Sequence, residues 1–188
     1  LVRLGVAAAS SRHRDRSDWP AAERLDYGGS WGMPAPVPHP HDPGVLLGPA
    51  QTLAALPADV SAVVSLCRIG TGDAPARGVR AEDHVEMWLV DSADPEDNAH
   101  LEFVVDDAAR TVAALRAEGH RVLLHCVAAQ SRTPTVAARY AVLRDGLTPA
   151  AALAHLLAAL PLASPNPRLR HALLALGAGA SPPVETAP

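Results

Sequence analysis

The sequence predicts one α/β domain, built on a central, mainly parallel sheet of four to five strands flanked by helices. Two observations support this fold class. Short apolar runs alternate with helical patterns along the chain, and the 188 residues, 48% of them hydrophobic, suffice for one buried core with margins. Because parallel strands end at a common edge of such a sheet, we expect a ligand site beyond that edge.

The first half of the domain alternates strands with breaks. Runs of Val and Leu mark the strands, whereas Gly, Pro and Asp mark the segments between them. In chain order, the predicted segments are a strand at 45–47, a helix at 50–56, a strand at 60–66, a loop at 68–83, a strand at 85–90 and an acidic loop at 91–98.

The second half is mostly helical. From Leu101 to Leu115, apolar residues recur at spacings of three, four and seven, which predicts an amphipathic helix that Gly119 ends in the left-handed conformation. Thr148-Pro149 supplies a cap and a first-turn proline for a later helix. The remaining predicted elements are a strand at 121–125 and helices at 133–144, 150–160 and 169–176.

The two ends of the chain differ from this pattern. Charge and Ser dominate residues 10–18, and Pro and Gly crowd residues 28–43, so neither stretch offers a periodic apolar face. We expect a flexible or irregular extension over 1–42, the domain over 43–178 and a disordered tail over 179–188. The apolar start of the chain is interrupted by Arg3, which favours a disordered leader over a signal peptide.

Composition excludes several classes of function. The net charge of -4 leaves no basic face for a phosphate backbone, so we expect no nucleic-acid partner. Prolines and His155 interrupt the long uncharged run at 147–167, so we expect no membrane span. Two cysteines support neither a disulfide scaffold nor a four-thiolate zinc site, and a reducing cytoplasm is the expected compartment. The exclusive use of Arg among the basic residues favours a bacterial source.

One segment concentrates residues with chemical potential. Cys126 follows the apolar strand directly, and Arg132 comes six residues later, where a helix begins. In a curled loop of this length the backbone amides converge on one point, and the helix N-terminus adds partial positive charge there. Such a cup binds a phosphate dianion and also stabilises a thiolate, while a planar guanidinium can grip two phosphate oxygens.

This segment resembles the Cys-x5-Arg signature loop of the cysteine-dependent protein phosphatases, in the dual-specificity or tyrosine-phosphatase-like branch. The resemblance covers about residues 43–176 and implies the phosphatase fold, a phosphorylated protein or other phosphomonoester as substrate, and no cofactor or metal. It implies that Cys126 takes the phosphoryl group, Arg132 binds it, Thr133 helps the thiolate leave and His125 holds the loop. The implied substrate-binding residues are Val127, Ala128, Ala129, Gln130, Ser131, Arg132 and Thr133.

Two features qualify the resemblance. Family members usually carry Gly where this chain has Ala129, and a positive φ there would strain an alanine. The general acid is implied to be an aspartate about thirty residues before the cysteine. Asp94, which precedes a proline, matches that spacing best and is our first choice; Asp91 is the second, and Asp97 is the third aspartate of the same loop.

Other interpretations stay open on the sequence alone. A rhodanese-like sulfur transferase also carries a reactive cysteine in an anion-binding loop, and a loop distorted at Ala129 would leave a phosphate-binding module without turnover. Cys67 follows a strand that should neighbour the strand of Cys126, which suggests a reversible disulfide between them, although a buried filler is the commoner role. His39 and His41 form a pair without further metal ligands in sequence.

Overall fold

Five strands form one sheet in the part of the chain that this computed structural model describes, residues 35–70 and 74–177. The sheet order is β1-β2-β5-β3-β4; β1 runs antiparallel to β2, and all other neighbours are parallel. The predicted mainly parallel sheet is therefore confirmed. The strands are β1 (Val37–His39), β2 (Asp42–Pro49), β3 (Ala62–Ser65), β4 (His84–Glu86) and β5 (Val122–Cys126).

The helices start and stop largely where local signals predict. Thr148 caps one helix by accepting a hydrogen bond from the amide of Ala151, and Gly146 ends the preceding helix with φ of 68°. Gly119, with φ of 89°, follows the first helix as expected. The four α-helices are α1 (Leu101–Ala117), α2 (Arg132–Asp145), α3 (Pro149–Ala159) and α4 (Pro167–Ala175).

The two faces of the sheet are covered differently. Side chains alternate along each strand, so Val45 and Leu47 face the helical side while Leu46 faces the other. The larger core contains residues of all four α-helices. The second core is closed by loop residues such as Ala76 and Val79 rather than by an α-helix. No helix in the described ranges is long and apolar enough to cross a membrane.

The strand register decides which residues meet at the carboxyl edge of the sheet. Pro49 of β2 pairs with Cys126 of β5, and Ser65 of β3 pairs with His125. The segments that leave β2 and β3 therefore flank the segment that leaves β5. This edge places residues that are distant in sequence around the end of the cysteine-bearing strand.

Several predicted elements differ from the structure in detail. The sheet already includes β1, so the start at Pro43 is too late; Pro38 is tolerated because β1 is an edge strand, where one amide can be spared. Residues 50–56 form a 3₁₀ helix over Ala50–Ala55. The strand expected at 85–90 is shorter, since β4 covers only His84–Glu86 and the residues after it leave the sheet. The predicted leader, most of the extension over 1–42 and the tail over 179–188 lie outside the described residues.

Candidate active site

The loop between β5 and α2 turns its carbonyl groups outward and leaves its amides available. The carbonyl oxygens of Val127 and Gln130 accept hydrogen bonds of 3.1 Å and 2.7 Å from the amides of Ala50 and Ser164. Within the described ranges, the amides of residues 127–132 donate to no backbone carbonyl. Since α2 begins at Arg132, its positive N-terminal end faces the same place. This geometry is suited to binding an anion.

Ala129 occupies the strained position that the sequence draws attention to. Its φ is 57°, and among the described residues it is the one non-glycine residue with positive φ. The left-handed region places the Cβ of an L-residue too close to the carbonyl oxygen that follows. Because Ala129 is buried at 1% exposure, its surroundings hold the loop in this conformation.

Arg132 is buried beside the loop with part of its guanidinium still unpaired. Nη1 donates to the carbonyl oxygen of Leu89 at 2.8 Å and to that of Leu66 at 3.4 Å. Nε makes no hydrogen bond with any described residue although it is buried. Two carbonyls thus fix the direction of the side chain, and an N–H group remains for an acceptor that enters the site. The segment after β4 thus contributes the Leu89 carbonyl that holds Arg132.

Cys126 ends β5 and its side chain is only 1% exposed. The side chain of Thr133, which follows Arg132, is also buried. Oγ1 of Thr133 is buried and has no hydrogen-bond partner among the described residues. Because this hydroxyl in the first turn of α2 has no such partner, it can donate a hydrogen bond to an acceptor that forms in the site during a reaction. Its predicted role towards the leaving thiolate stays a prediction.

His125 lies entirely inside the protein, directly before the cysteine. Burial, reinforced by the nearby charges of His84 and Arg132, lowers its pKa to about 3, so the ring is neutral at physiological pH. Nε2 lies 2.6 Å from Oγ of Ser65. The adjacent backbone of Cys126 acts in the opposite direction and raises this pKa, while Nδ1 is buried without a hydrogen-bond partner among the described residues. A neutral ring in this place can hold backbone but carries no charge.

The acidic loop brings Asp91 rather than Asp94 to the signature loop. Oδ1 of Asp91 accepts a hydrogen bond of 2.7 Å from Oγ of Ser131, and Oδ2 lies 3.8 Å from Nε of Arg132. The exposed side chain of Asp94 instead accepts from the amide of Glu96 and caps the 3₁₀ helix Pro95–Asp97. In the described part of the chain, no hydrogen bond or ion pair joins the Asp94 carboxylate to residues 126–133. The geometry therefore favours the second choice of acid over the first.

Asn166 is a site residue that the sequence reasoning missed. Its Nδ2 donates to Oδ1 of Asp91 at 2.6 Å, and its amide donates to Oγ of Ser131 at 3.0 Å. The signal available in sequence was Pro165-Asn166-Pro167, which indicates only a helix start. The contact with Asp91 joins residues 75 positions apart and depends on the packing of α4.

Cys67 and Cys126 are both buried free thiols close enough to influence each other. Burial, followed by the neighbouring Cys126, raises the pKa of Cys67 to about 12, so Cys67 is a neutral thiol at physiological pH. The amide of Leu66 donates to the carbonyl oxygen of His125 at 2.8 Å, which places the start of the segment after β3 beside β5. The reversible disulfide remains a prediction.

The His39 and His41 pair has partners other than a metal. Nε2 of His39 lies 3.0 Å from the carbonyl oxygen of Ala137, and Nδ1 of His41 lies 2.9 Å from Oδ2 of Asp145. Nε2 of His41 also lies 2.9 Å from Nδ1 of His155. Across the described ranges, no group of three or more His, Cys, Asp or Glu side chains has the geometry of a metal site.

Comparisons with known proteins agree with this geometry. Dual specificity protein phosphatase 1 of Arabidopsis thaliana is 31% identical over 130 residues, which cover 69% of this chain and 64% of the relative. This chain thus spans slightly less than two thirds of that protein's length. No protein-family model matches the chain.

Solved structures show the same fold. The crystal structure of human DUSP28 superposes with a TM-score of 0.62 at 24% identity, covering 77% of this chain and 94% of that one. The Cydia pomonella PTP-2 phosphatase gives 0.62 at 19% identity, covering 76% and 90% of the two chains. Tk-PTP in its active form gives 0.57 at 23% identity, covering 70% and 88%. The predicted phosphatase fold is confirmed.

Proposed function

We propose that this chain, which is dual-specificity-phosphatase-like in sequence and fold, hydrolyses phosphomonoesters on phosphorylated proteins through a phosphocysteine intermediate. The observation that carries the proposal is the set of donors around Cys126 that make no hydrogen bond. Within the described ranges, the amides of residues 127–132 donate to no backbone carbonyl, and Nε of Arg132 makes no hydrogen bond, with Oδ2 of Asp91 at the longer distance of 3.8 Å. Because these donors are already oriented, they bind the phosphoryl oxygens without reorganisation as charge develops.

The first chemical step transfers the phosphoryl group to sulfur. The thiolate of Cys126 attacks phosphorus in line with the ester oxygen, while the loop amides and Arg132 hold the other three oxygens. The P–O ester bond breaks as the P–S bond forms. The leaving oxygen needs a proton, because an alkoxide or phenoxide is a poor leaving group.

We propose Asp91 as the general acid. Its Oδ1 is already engaged by Ser131 and Asn166, whereas its Oδ2 is directed towards Arg132. A proton on Oδ2 therefore lies on the side where Arg132 holds the phosphate. In the second step the ionised Asp91 takes a proton from water, which attacks the phosphocysteine, and Thr133 donates a hydrogen bond to the departing thiolate.

The test is hydrolysis of p-nitrophenyl phosphate and of a phosphotyrosine peptide by the purified chain. We expect Cys126→Ser to abolish turnover and Asp91→Asn to lower kcat on the peptide by about a hundredfold or more. Asp94→Asn is the matched control, since Asp94 lies in the same loop without contacting the signature loop, and should keep kcat near the wild-type value. The opposite result for the two aspartates would return the acid role to Asp94.

Hydrolysis of p-nitrophenyl phosphate, measured beside two binding and transfer assays, separates the phosphatase from the two alternatives, a sulfur transferase and a module that only binds phosphate. A sulfur transferase would form a persulfide from thiosulfate on Cys126 and would leave p-nitrophenyl phosphate intact. A module that only binds phosphate would bind vanadate or a phosphopeptide without hydrolysis. Wild-type protein that does either of these without turnover of the phosphate ester contradicts the proposed activity. The ratio of phosphotyrosine to phosphoserine peptide hydrolysis then measures how far the activity extends beyond phosphotyrosine.

A further inference from the structure

A chain of hydrogen bonds runs from the loop before β4 to the residue that precedes the nucleophile. The amide of Ala76 donates to Nδ1 of His84 over 2.9 Å. Nε2 of His84 lies 2.9 Å from Oγ of Ser65, which in turn lies 2.6 Å from Nε2 of His125. Neither His84 nor Ser65 belongs to a recognisable sequence motif.

The position of every proton in this chain follows from its first member. A backbone amide can only donate, so Nδ1 of His84 accepts and its single ring proton, in the neutral form, sits on Nε2. His84 then donates to Ser65, and the one hydroxyl proton of Ser65 is left for Nε2 of His125. Since His125 is neutral and its Nε2 accepts, its own proton sits on Nδ1, beside the backbone of Cys126.

The chain is anchored firmly at both ends. Ala76 is 3% exposed and belongs to the second core, against residues such as Val63 and Leu123. Ser65 is fully buried in β3, which pairs with β5 directly at His125. The hydrogen bond between Ser65 and His125 joins two fully buried side chains and persists because neither partner can exchange it for water, whereas His84 is half-buried.

We propose that Ser65 and His84 are positioning residues that fix the tautomer of His125, so that its Nδ1–H holds the backbone at Cys126. They touch neither substrate nor phosphoryl group and act only through His125. The consequence for catalysis rests on the proposed phosphatase function, whereas the tautomer itself is a property of the protein without substrate. The loop before β4 is thereby connected to the nucleophile across β3.

The direct test is the tautomer of His125 in protein labelled with nitrogen-15 at histidine. Two-bond nitrogen–proton correlations distinguish a proton on Nδ1 from one on Nε2. We expect Nδ1–H in the wild type and a population with Nε2–H in Ser65→Ala, where the ring nitrogen has lost its donor. A wild-type Nε2–H tautomer, or an unchanged spectrum for His125 in Ser65→Ala, overturns the proposal whether or not the protein is a phosphatase.

The second test uses rescue by a conservative variant. His84→Leu removes the donor to Ser65, whereas the side-chain amide of His84→Gln can replace Nε2–H. We expect His84→Leu and Ser65→Ala to lower kcat/KM on p-nitrophenyl phosphate about tenfold, and His84→Gln to stay within about twofold of wild type. Equal losses in His84→Leu and His84→Gln would contradict the positioning role, and the two variants remain informative if Ser65→Ala does not fold.

A matched control lies directly before the start of β3. Oγ of Ser61 lies 3.0 Å from Nδ1 of His120, so Ser61→Ala also removes a serine–histidine hydrogen bond, but away from the carboxyl edge. We expect kcat/KM and the His125 tautomer to stay at wild-type values in this variant. A loss equal to that of Ser65→Ala would show a general effect of weakening β3 and would overturn the specific role.

Discussion

At the scale of single residues, the signature loop depends on the backbone conformation of Ala129. The left-handed conformation disfavours any residue with a Cβ by about 1–2 kcal/mol, and a β-branched side chain is disfavoured most. Here the small methyl group is buried, so its packing offsets part of the strain. The loop is therefore sensitive to the size and branching of this one side chain.

Substitutions at Ala129 should separate strain from packing. We expect Ala129→Gly to keep the free energy of unfolding within about 1 kcal/mol of wild type, because relief of strain is offset by the lost methyl burial and the greater freedom of the unfolded chain. Ala129→Val should abolish binding of vanadate and turnover. Urea unfolding and vanadate titration measure these effects.

The control for this prediction is the neighbouring residue. Ala128 is half-buried and has no positive φ, so Ala128→Val adds the same side chain without the conformational conflict. It should retain most of the vanadate affinity. Wild-type affinity in Ala129→Val would contradict the assignment of strain to this position.

At the scale of secondary-structure elements, Asn166 at the start of α4 both caps the helix and contacts the acidic loop. Its Oδ1 accepts from the amide of Leu169 and so caps the helix, while its Nδ2 donates to Asp91. Arg168, in the first turn of the same helix, donates to the carbonyl oxygen of Pro95 in the acidic loop. The start of α4 therefore holds the loop that carries the proposed acid.

Asn166→Ser should separate capping from acid positioning. A serine still caps the helix, so the melting temperature should change little, but its hydroxyl is too short to replace the amide that reaches Asp91. We expect kcat on a phosphotyrosine peptide to fall about tenfold or more while the affinity for vanadate is kept. Steady-state kinetics and a thermal melt measure the two effects.

The matched control removes a cap that is far from the acid. Thr148 caps α3, so Thr148→Ala should lower the free energy of unfolding by about 1 kcal/mol without changing kcat. If Asn166→Ser behaves like Thr148→Ala, with lower stability and unchanged turnover, Asn166 serves the helix alone.

At the scale of the whole molecule, buried titratable groups tie the stability of the fold to pH. Asp42 at the start of β2 accepts hydrogen bonds from Arg116 of α1 and Tyr140 of α2. Burial alone would raise the pKa of Asp42, but these donors, the Gly44 amide and the charge of Arg116 lower it to about 2. Burial lowers the pKa of His125 to about 3. In each case the unfolded chain binds protons at a higher pH than the folded one.

Stability should therefore fall on acidification in two stages. The contribution of His125 is complete above about pH 6.5 and declines below it, and the contribution of Asp42 is lost between about pH 4 and pH 2. Urea unfolding from about pH 8 to about pH 3 should show both. In Asp42→Asn we expect a lower free energy of unfolding at neutral pH. The dependence of that free energy on pH should be weaker than in the wild type only below about pH 4.

An exposed aspartate supplies the control for this pH dependence. Asp59 forms a surface ion pair with Arg121, with 3.3 Å between Oδ2 and Nε, and its side chain is 62% exposed. Asp59→Asn should keep the wild-type slope. An equal flattening in both variants would show that the slope reflects net charge and not the buried Asp42.

The fold class, the approximate positions of the helices and the residues of the signature loop can all be predicted from the amino-acid sequence. These are local properties, because periodicity, caps and the spacing from Cys126 to Arg132 are read along a short stretch of chain. The edge strand β1 and the early end of β4 were not predicted. The first depends on pairing with β2, and the segment that follows the second contacts Arg132 through Leu89, and neither contact is part of a local pattern.

The side chains that surround the signature loop become known only when the folded chain is seen in three dimensions. Asp91 and Asp94 are both ordinary acidic residues in one loop, and the position of α4 brings Asn166 into contact with Asp91. Ser65 and His84 carry no motif, and they approach His125 because β3 lies between β4 and β5. Contacts between distant segments depend on packing in three dimensions, which a local pattern does not contain.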